Sequence, residues 1–283
     1  MSICTCNQLK KKQVKDIHTL ISICNTYEGL SKNPILENDN LYEELSCYYL
    51  YYEKEILVSV LIIDQFSYTE AEITGYTLPK FRRQGYFYKL LEEAMDELAY
   101  FEIYRILLVV DSKSMSGTGC AKALSEYSYS EYMLIHELVK HDKEKINFDI
   151  CFREVSMLLE LQEEVVKELE LSGSLEVAEA AMESKDNICL AAYLNEHCVG
   201  ICNLSLTSDK AYLFGLYVLE NHRKQGIGYA FVQYLIHMAI TYGKETLTLQ
   251  VGDNPKALHL YLKSDFQVLE QLDYYAMDIE VET

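Results

Sequence analysis

The chain has 283 residues, enough to bury a large core, and this length favours two domains of about 140 residues each. Its 49% hydrophobic and 24% charged residues are typical of a globular protein and exclude a disordered or fibrous chain. A formal net charge of −19 opposes binding to a phosphate backbone, so we expect no nucleic-acid partner. No apolar run reaches the ~18 residues that a membrane helix needs.

The basic N-terminal segment has no apolar run behind it and no small-residue cleavage site, so it is not expected to be a secretory signal. The nine cysteines lack paired C-x-x-C spacing and predict reduced thiols in a cytoplasmic protein with no metal site. We expect Cys4 and Cys6 to lie in a frayed end. Cys198 and Cys202 are expected on one buried face of a strand.

Hydrophobic periodicity in the first half predicts a helix, a three-stranded antiparallel meander, a second helix, a buried strand and a further extended segment. The predicted elements are the helix Lys10 to Tyr27, the meander strands Ser46 to Tyr52, Ile56 to Gln65 and Ala71 to Leu78, the helix from Gly85 to about Leu98, and the strands Tyr104 to Val110 and Tyr127 to Leu138. The charged stretch Val139 to Ile146 then predicts the domain junction, which gives domains 1–139 and 140–283.

The second half predicts a similar order of elements. These are a strand at Phe148 to Val155, helices at Ser156 to Leu169 and Leu175 to Met182, meander strands at Ile188 to Leu194, Cys198 to Leu206 and Ala211 to Leu219, a helix from Gly226 to Tyr242, a strand at Thr246 to Val251, a helix at Pro255 to Lys263 and a strand near Tyr274 to Ile279. The two halves of the chain are therefore predicted to be copies of one fold, related as an internal repeat.

Two segments align directly in this repeat. The sequence from Phe81 to Gly85 matches that from His222 to Gly226, 141 residues later. The interval from Gly75 to Gly85 is one residue shorter than that from Gly215 to Gly226, which predicts an extra bulge residue in one meander strand.

The strongest chemical signal is the basic, glycine-containing loop that starts at Arg223 and opens the helix at Gly226. Backbone N–H groups at a helix N-terminus, with the macrodipole, hold a pyrophosphate well, and the basic side chains add charge. The preceding strand belongs to a meander and no acidic ribose ligand follows, which disfavours a dinucleotide-binding fold. The loop also lacks the P-loop sequence.

A second signal runs from Asn254 to Phe266. Asn254 suits a helix N-cap and Pro255 the first helical position, so both have a purely structural explanation. That explanation does not cover Tyr261, although packing is the default role of a tyrosine in a chain that has 24 of them.

Together the two segments resemble the GNAT superfamily of acyl-CoA-dependent N-acetyltransferases. Its phosphate loop pattern [QR]-x-x-G-x-[GA] is met by Arg223, Gly226 and Gly228. Its later Asn, Ala, Leu and Tyr are met by Asn254, Ala257, Leu260 and Tyr261, while Asp265 replaces the glycine of its usual Gly-Phe pair. The resemblance covers residues 146 to 283. It implies an α/β fold of the α+β type, with two tandem GNAT-like domains that each have a mixed, mainly antiparallel central sheet flanked by helices.

The resemblance also implies a binding site for acetyl-CoA as the acyl donor. The cofactor-binding residues that it implies are Leu216, Tyr217, Val218, Arg223, Lys224, Gln225, Gly226, Ile227, Gly228, Tyr229, Asn254 and Tyr261. Tyr261 is the implied catalytic general acid, because a phenol suits protonation of the departing thiolate. Glu220 is the nearest acidic candidate for the base, although a solvated loop position suits it as well.

The first half resembles the same family less completely. Arg82 and Gly85 match the phosphate loop, but Phe87 stands where a small residue is expected. The segment from Asp111 to Gly117 replaces the Asn-to-Tyr segment, with no tyrosine at the corresponding place. We therefore interpret the first half as a degenerate copy.

The resulting hypothesis is an N-acetyltransferase that acts on a primary amine of a small molecule or peptide, as a monomer or homodimer, with its active site in the second half. The alternative is a non-catalytic acyl-CoA-binding or regulatory protein on the same fold. A serine hydrolase is disfavoured because no G-x-S-x-G elbow exists, and His259 is expected to be solvated.

Overall fold

The computed structural model describes residues 2–31, 33–138, 150–206 and 209–279. The chain divides into two compact units, which we call unit 1 (Met1–Ser130 and Gln271–Thr283) and unit 2 (Glu131–Glu270). The helices are α1 (Lys11–Glu28), α2 (Tyr86–Tyr100), α3 (Met115–Leu124), α4 (Glu163–Leu171), α5 (Leu175–Glu183), α6 (Ile227–Thr241) and α7 (Pro255–Lys263). The strands are β1 (Ser2–Cys6), β2 (Tyr48–Glu53), β3 (Ile56–Asp64), β4 (Glu70–Thr77), β5 (Arg105–Asp111), β6 (Glu126–Glu137), β7 (Cys151–Val155), β8 (Asn187–Leu194), β9 (His197–Ser205), β10 (Ala211–Val218), β11 (Thr246–Gly252) and β12 (Gln267–Asp278).

The two units have the same kind of sheet. Unit 1 has the strand order β1-β2-β3-β4-β5-β12, and unit 2 has the order β7-β8-β9-β10-β11-β6. In each sheet all neighbours are antiparallel except one parallel pair, β4 with β5 in unit 1 and β10 with β11 in unit 2. The predicted mixed, mainly antiparallel sheets flanked by helices are therefore confirmed.

Each unit takes its last strand from the other half of the sequence. Strand β12 pairs with β5 of unit 1, and β6 pairs with β11 of unit 2. The segments Glu131 to Met133 and Tyr275 to Met277, which occupy corresponding places in the repeat, lie in these two strands. The compact units thus differ from the consecutive division into 1–139 and 140–283. The predicted junction at 139–146 lies outside the described residues.

Most predicted elements are found within a few residues of their expected ends. Helix α1 ends at a left-handed Gly29, as glycine at that position predicts. The helix predicted from Ser156 is wrong in its first turns, because the Glu160 carboxylate accepts the backbone N–H groups of Ser156 and Met157 in a separate turn. The strand predicted from Phe148 begins at Cys151, although residues 148 and 149 lie outside the described residues. The predicted last strand is much longer than expected.

Two expectations for cysteines are also wrong. Cys4 and Cys6 lie in β1, whose backbone pairs with β2, so this end of the chain is not frayed. Cys198 and Cys202 are both buried but lie in different hydrophobic clusters. An irregularity in the pairing of β8 with β9 at Tyr193 inserts one residue between them and reverses the alternation of side chains.

The core of unit 2 lies on both faces of its sheet. One face carries a cluster with Cys202, Phe231 of α6 and Tyr261 of α7. The other face carries a cluster with Ile201 of β9 and Val165 of α4. A cleft between two strands of this sheet would therefore open to α6 and α7 on one side and to α4 and α5 on the other.

Candidate active site

The parallel strands β10 and β11 pair over only part of their length. Their register runs from Ala211 with Leu247 to Leu213 with Leu249, whereas β10 continues to Val218. The half of β10 that contains the predicted residues Leu216, Tyr217 and Val218 is therefore not paired with β11, and all three side chains are half-buried. We call the space between these strand ends the cleft of unit 2; along it the backbone of β10 has no ladder partner in β11.

A bulge shapes the β10 side of this cleft. Phe214 pairs with Asn203 and Tyr217 with Ile201, so Gly215 and Leu216 lie opposite the single residue Cys202. Gly215 has φ of +60°, a conformation that glycine adopts without strain. Gly200 of β9 allows the close approach, because a Cβ there would lie 2.4 Å from the Tyr217 carbonyl oxygen. The bulge predicted from the unequal glycine intervals is confirmed in unit 2.

The loop after β10 has a defined backbone conformation. Lys224 has φ of +61° and Gly226 has φ of +83°, so both adopt left-handed conformations. The Arg223 Nε donates a hydrogen bond of 2.9 Å to the Val218 carbonyl oxygen, and its guanidinium lies 5.3 Å from the Tyr217 ring centroid. Gln225 donates to the Asn221 carbonyl oxygen. The exposed side chains from Arg223 to Gln225 therefore hold the loop's shape and present positive charge to solvent.

The loop ends where α6 begins. The helical hydrogen bonds start with the Ala230 N–H donating to the Gly226 carbonyl oxygen, so the N–H groups of Ile227 and Gly228 precede this ladder. The Ile227 side chain is buried, and only its backbone faces the loop. A Cβ at residue 228 would lie 3.2 Å from Leu260 Cδ2, so Gly228 also allows α6 and α7 to pack closely.

Helix α7 places the predicted acid in the interior. Asn254 is its N-cap, and its Oδ1 accepts the N–H groups of Lys256 at 3.1 Å and Ala257 at 3.3 Å, as predicted. Tyr261 is 6% exposed and packs edge to face on Phe266, with ring centroids 5.8 Å apart. Burial raises the pKa of Tyr261 well above its ordinary value, so the phenol stays protonated at neutral pH.

Helix α4 contributes a carboxylate that the sequence did not indicate. Glu168 Oε2 accepts the Glu220 backbone N–H at 3.1 Å and the Tyr217 hydroxyl at 3.4 Å. Glu168 therefore links α4 to the end of β10. The Glu220 side chain is exposed, which fits the solvated alternative stated for it above. His259 is exposed as predicted.

A second polar residue that the sequence did not single out is Asn203 of β9. It is fully buried, and within the described residues neither its Nδ2 nor its Oδ1 has a hydrogen-bond partner. Its Nδ2 lies 2.6 Å from the position that a Cβ of residue 215 would take. An unsatisfied buried amide costs about 1–3 kcal/mol. The only sequence signal was one amide in the run from Cys198 to Leu204, whose other members are apolar residues and a glycine, and strand periodicity does not single it out.

The corresponding cleft of unit 1 is filled. Strand β4 also leaves β5 after Ile73, but its pairing with β3 is continuous and contains no bulge. The Phe87 ring packs on Gly75, and its Cε2 lies 2.2 Å from the position that a Cβ at residue 75 would take. Phe87, which aligns with Gly228 at the offset of 141, thus places a ring beside β4, whereas Gly228 has no side chain to place beside β10.

A carboxylate of the same unit neutralises the charge of the arginine in the unit 1 loop. Arg82 Nε donates to the Thr77 carbonyl oxygen at 3.0 Å, as Arg223 does to Val218, but its Nη1 donates to the Glu28 carboxylate. Glu28 also accepts the hydroxyls of Ser114 and Ser116 at the start of α3. In the part of the chain that the structure describes, Arg223 has no such carboxylate within salt-bridge distance.

Unit 2 therefore combines an open cleft, helix N–H groups, basic side chains and a buried phenol on adjacent elements. This arrangement can bind a diphosphate at the start of α6 and an extended amide-containing chain along β10. Among the described residues, no group of three or more metal-ligating side chains is present, and no helix has the length and apolar character needed to cross a membrane.

Comparison with known proteins agrees with this geometry. Residues 155–266 match the model of the acetyltransferase (GNAT) family, whereas no curated protein sequence matches the chain. A GCN5-related N-acetyltransferase from Sphaerobacter thermophilus is similar in structure over 99% of this chain and 97% of its own, with a TM-score of 0.73 and 15% identity. A tandem GNAT protein from the clavulanic acid biosynthesis pathway covers 100% of both chains, with a TM-score of 0.65 and 11% identity. A GNAT-family acetyltransferase from Colwellia psychrerythraea covers 99% and 100%, with a TM-score of 0.57 and 13% identity.

Proposed function

Because the C-terminal region carries a GNAT-family domain within a tandem GNAT fold, we propose that this protein transfers the acetyl group of acetyl-CoA to a primary amine. The proposed site is the cleft of unit 2. One observation carries the proposal. The pairing of β10 with β11 ends shortly before the start of α6, where a basic loop leads into a helix whose N-cap is Gly226. Unit 1 has the same strand order but a filled cleft, which supports placing the reaction in unit 2.

Acetyl-CoA binding would use the backbone more than side chains. The N–H groups of Ile227 and Gly228 and the charges of Arg223 and Lys224 would hold the diphosphate. The pantetheine amides would pair with the free edge of β10 from Leu216 to Val218, as an added strand does. The remaining cofactor-binding residues expected from the sequence, Gln225, Tyr229 and Asn254, stay predictions: Gln225 and Asn254 already make bonds that shape the loop and α7.

The chemical step needs one proton donor for the leaving group. The amine nitrogen would attack the thioester carbonyl carbon, and the C–S bond would break as the tetrahedral intermediate collapses. The departing thiolate would take the Tyr261 proton, and the phenolate would regain a proton released from the acetylated nitrogen through solvent. Its raised pKa keeps Tyr261 protonated at neutral pH, so the phenol O–H is available as a donor to the sulfur as negative charge develops there.

Removal of a proton from the incoming ammonium requires a base or water. Glu220 is exposed at the end of the cleft and Glu168 holds its backbone, so either carboxylate could receive this proton through water. The acidic chain, with its net charge of −19, would also favour a cationic acceptor. Location in the cytoplasm and a small-molecule or peptide acceptor stay predictions, as does the monomeric or homodimeric state.

The test is thiol release from acetyl-CoA measured with and without a panel of amines. The panel contains a polyamine, an arylalkylamine, an amino sugar and a peptide with a free N-terminus. We expect at least one amine to accelerate thiol release and to gain one acetyl group by mass. The alternative, an acyl-CoA-binding protein without catalysis, predicts coenzyme binding with no acceleration by any amine. Absence of both binding and turnover would contradict both functions.

A further inference from the structure

The side chain of Asn203 lies beside the cleft of unit 2, but the proposed acetyl transfer leaves it unused. Its amide offers one acceptor oxygen and two N–H donors, and within the described residues none of these is hydrogen bonded although the side chain is fully buried. Buried polar groups in folded proteins normally have partners, so an orphaned amide at a functional cleft points to a partner that arrives with a ligand.

The surroundings of Asn203 place it on one particular side of the cleft. It lies two residues from Ile201, on the sheet face that packs on α4 and α5, while Cys202 and Tyr261 lie on the opposite face. The Asn203 Nδ2 and Val177 Cγ1 of α5 lie 2.6 Å and 3.3 Å from the Cβ position beside Gly215. Val177 is 43% exposed, so Asn203 lies one side chain below the surface.

This position suits the acceptor rather than the acyl donor. A thioester held along β10 would have the phenol of Tyr261 on one sheet face, where the leaving sulfur needs a proton. The attacking nitrogen adds to one of the two faces of the planar thioester, and because Tyr261 and the core around it occupy one side, the side of Asn203 and Val177 is the one left for the amine. An amide oxygen is the appropriate partner for the N–H groups of a neutral amine, because it accepts hydrogen bonds without holding a proton of its own.

Unit 1 contains a natural comparison for this residue. Counting from the aligned glycines Gly75 and Gly215, the counterpart of Asn203 is Ile62, which pairs with Thr74 as Asn203 pairs with Phe214. Ile62 is almost fully buried in the unit 1 core. The same strand position therefore accepts a branched apolar side chain where the cleft is closed, and carries an unsatisfied amide where the cleft is open.

We propose that Asn203 binds the acceptor amine in the cleft of unit 2. Its side-chain amide would turn about the Cβ–Cγ bond, so that the oxygen takes the place of Nδ2 beside Gly215 and accepts an N–H of the attacking nitrogen. This inference rests on the proposed acetyltransferase function. The amine would reach Asn203 by displacing the Val177 side chain from the notch beside Gly215.

The test compares Asn203→Leu and the smaller Asn203→Ala with wild type in steady-state assays that vary acetyl-CoA and the best amine of the panel separately. We expect the KM for the amine to rise ~10-fold, as loss of one hydrogen bond predicts, with the KM for acetyl-CoA unchanged within about twofold. The melting temperature of Asn203→Leu should equal or exceed that of wild type, because the substitution removes an unsatisfied amide. Asn187→Leu, a half-buried asparagine of β8 in the same sheet, is the matched control and should leave both KM values unchanged.

Two results would overturn the assignment of Asn203 alone. The first is an unchanged amine KM in both variants, and the second is a fall of several degrees in the melting temperature of both, which would indicate an internal partner. Two results with the wild type are distinct from these, because they would remove the proposed function itself: thiol release that no amine accelerates, and failure to bind coenzyme A in a calorimetric titration.

Discussion

Units 1 and 2 have the same strand order and nearly the same backbone conformation in the loop before α2 and α6. They differ in the side chains that lie where their parallel strands separate. In unit 1 the Phe87 ring fills the cleft and Glu28 neutralises the loop arginine. In unit 2 a bulge interrupts β10, Gly228 has no side chain at the position of Phe87, and Asn203 has no hydrogen-bond partner among the residues that the structure describes. The two units thus differ in how the same fold packs this region, and we infer from the unpartnered amide that the cleft of unit 2 is the one that binds a ligand.

The largest expected effect concerns a residue that only unit 2 has. Seven positions after the helix N-cap stands Tyr261 in unit 2 and Ala121 in unit 1. We expect Tyr261→Phe to lower kcat by ~100-fold, because general acid catalysis contributes that much or more, while the Kd for acetyl-CoA stays unchanged. Stopped-flow or steady-state thiol release measures this. Tyr242→Phe, at the exposed end of α6, removes the same hydroxyl group and should leave kcat unchanged; equal rates for wild type and Tyr261→Phe would remove the acid role.

The next effect concerns the packing that closes unit 1. Phe87→Ala removes the ring that covers Gly75 and should lower the free energy of unfolding by about 2 kcal/mol, less than the ~3–5 kcal/mol of a fully buried phenylalanine. Urea denaturation measures the loss, and kcat with the best amine should not change. Tyr88→Ala alters the neighbouring exposed residue of α2 and should cost less than half as much. A parallel loss of activity in Phe87→Ala would indicate that unit 1 takes part in turnover.

The smallest expected effect is a dependence of the stability of unit 1 on pH, through Glu28. Burial raises the pKa of Glu28, but hydrogen bonds from Ser114 and Ser116 and the charge of Arg82 outweigh it, and the net pKa is lowered. A carboxyl group with a lowered pKa stabilises the fold above its unfolded-state pKa of ~4.3, and this contribution is lost as the pH falls through the folded value.

Glu28→Gln should therefore destabilise the chain at pH 7 and leave its stability closer to that of wild type near pH 3. Thermal unfolding between pH 3 and pH 7 measures the difference, with Glu92→Gln on the exposed side of α2 as the control. A constant difference across this range would show that the ionised form of Glu28 contributes no more than the amide.

The sequence predicted most of the fold because alternating and helical patterns set the strands and helices of each half locally. It also predicted the bulge, because one extra residue between aligned glycines has no other simple explanation. The exchange of β6 and β12 was not predictable, since both strands carry similar patterns and pairing over long sequence separation has no local signal. Glu168 and Asn203 were not predicted as site residues for the same reason. Their relevance depends on contacts with Glu220 and Gly215 that form only in the folded protein.

The most direct test of the difference between the units is the number of coenzyme A molecules that one chain binds. Calorimetric titration of the full chain should give one site. Gly228→Phe, which places the aromatic ring of unit 1 in the cleft of unit 2, should abolish that site, while Gly119→Phe on the open surface of α3 should leave it intact. Two sites per chain, or one site that survives Gly228→Phe, would contradict the account.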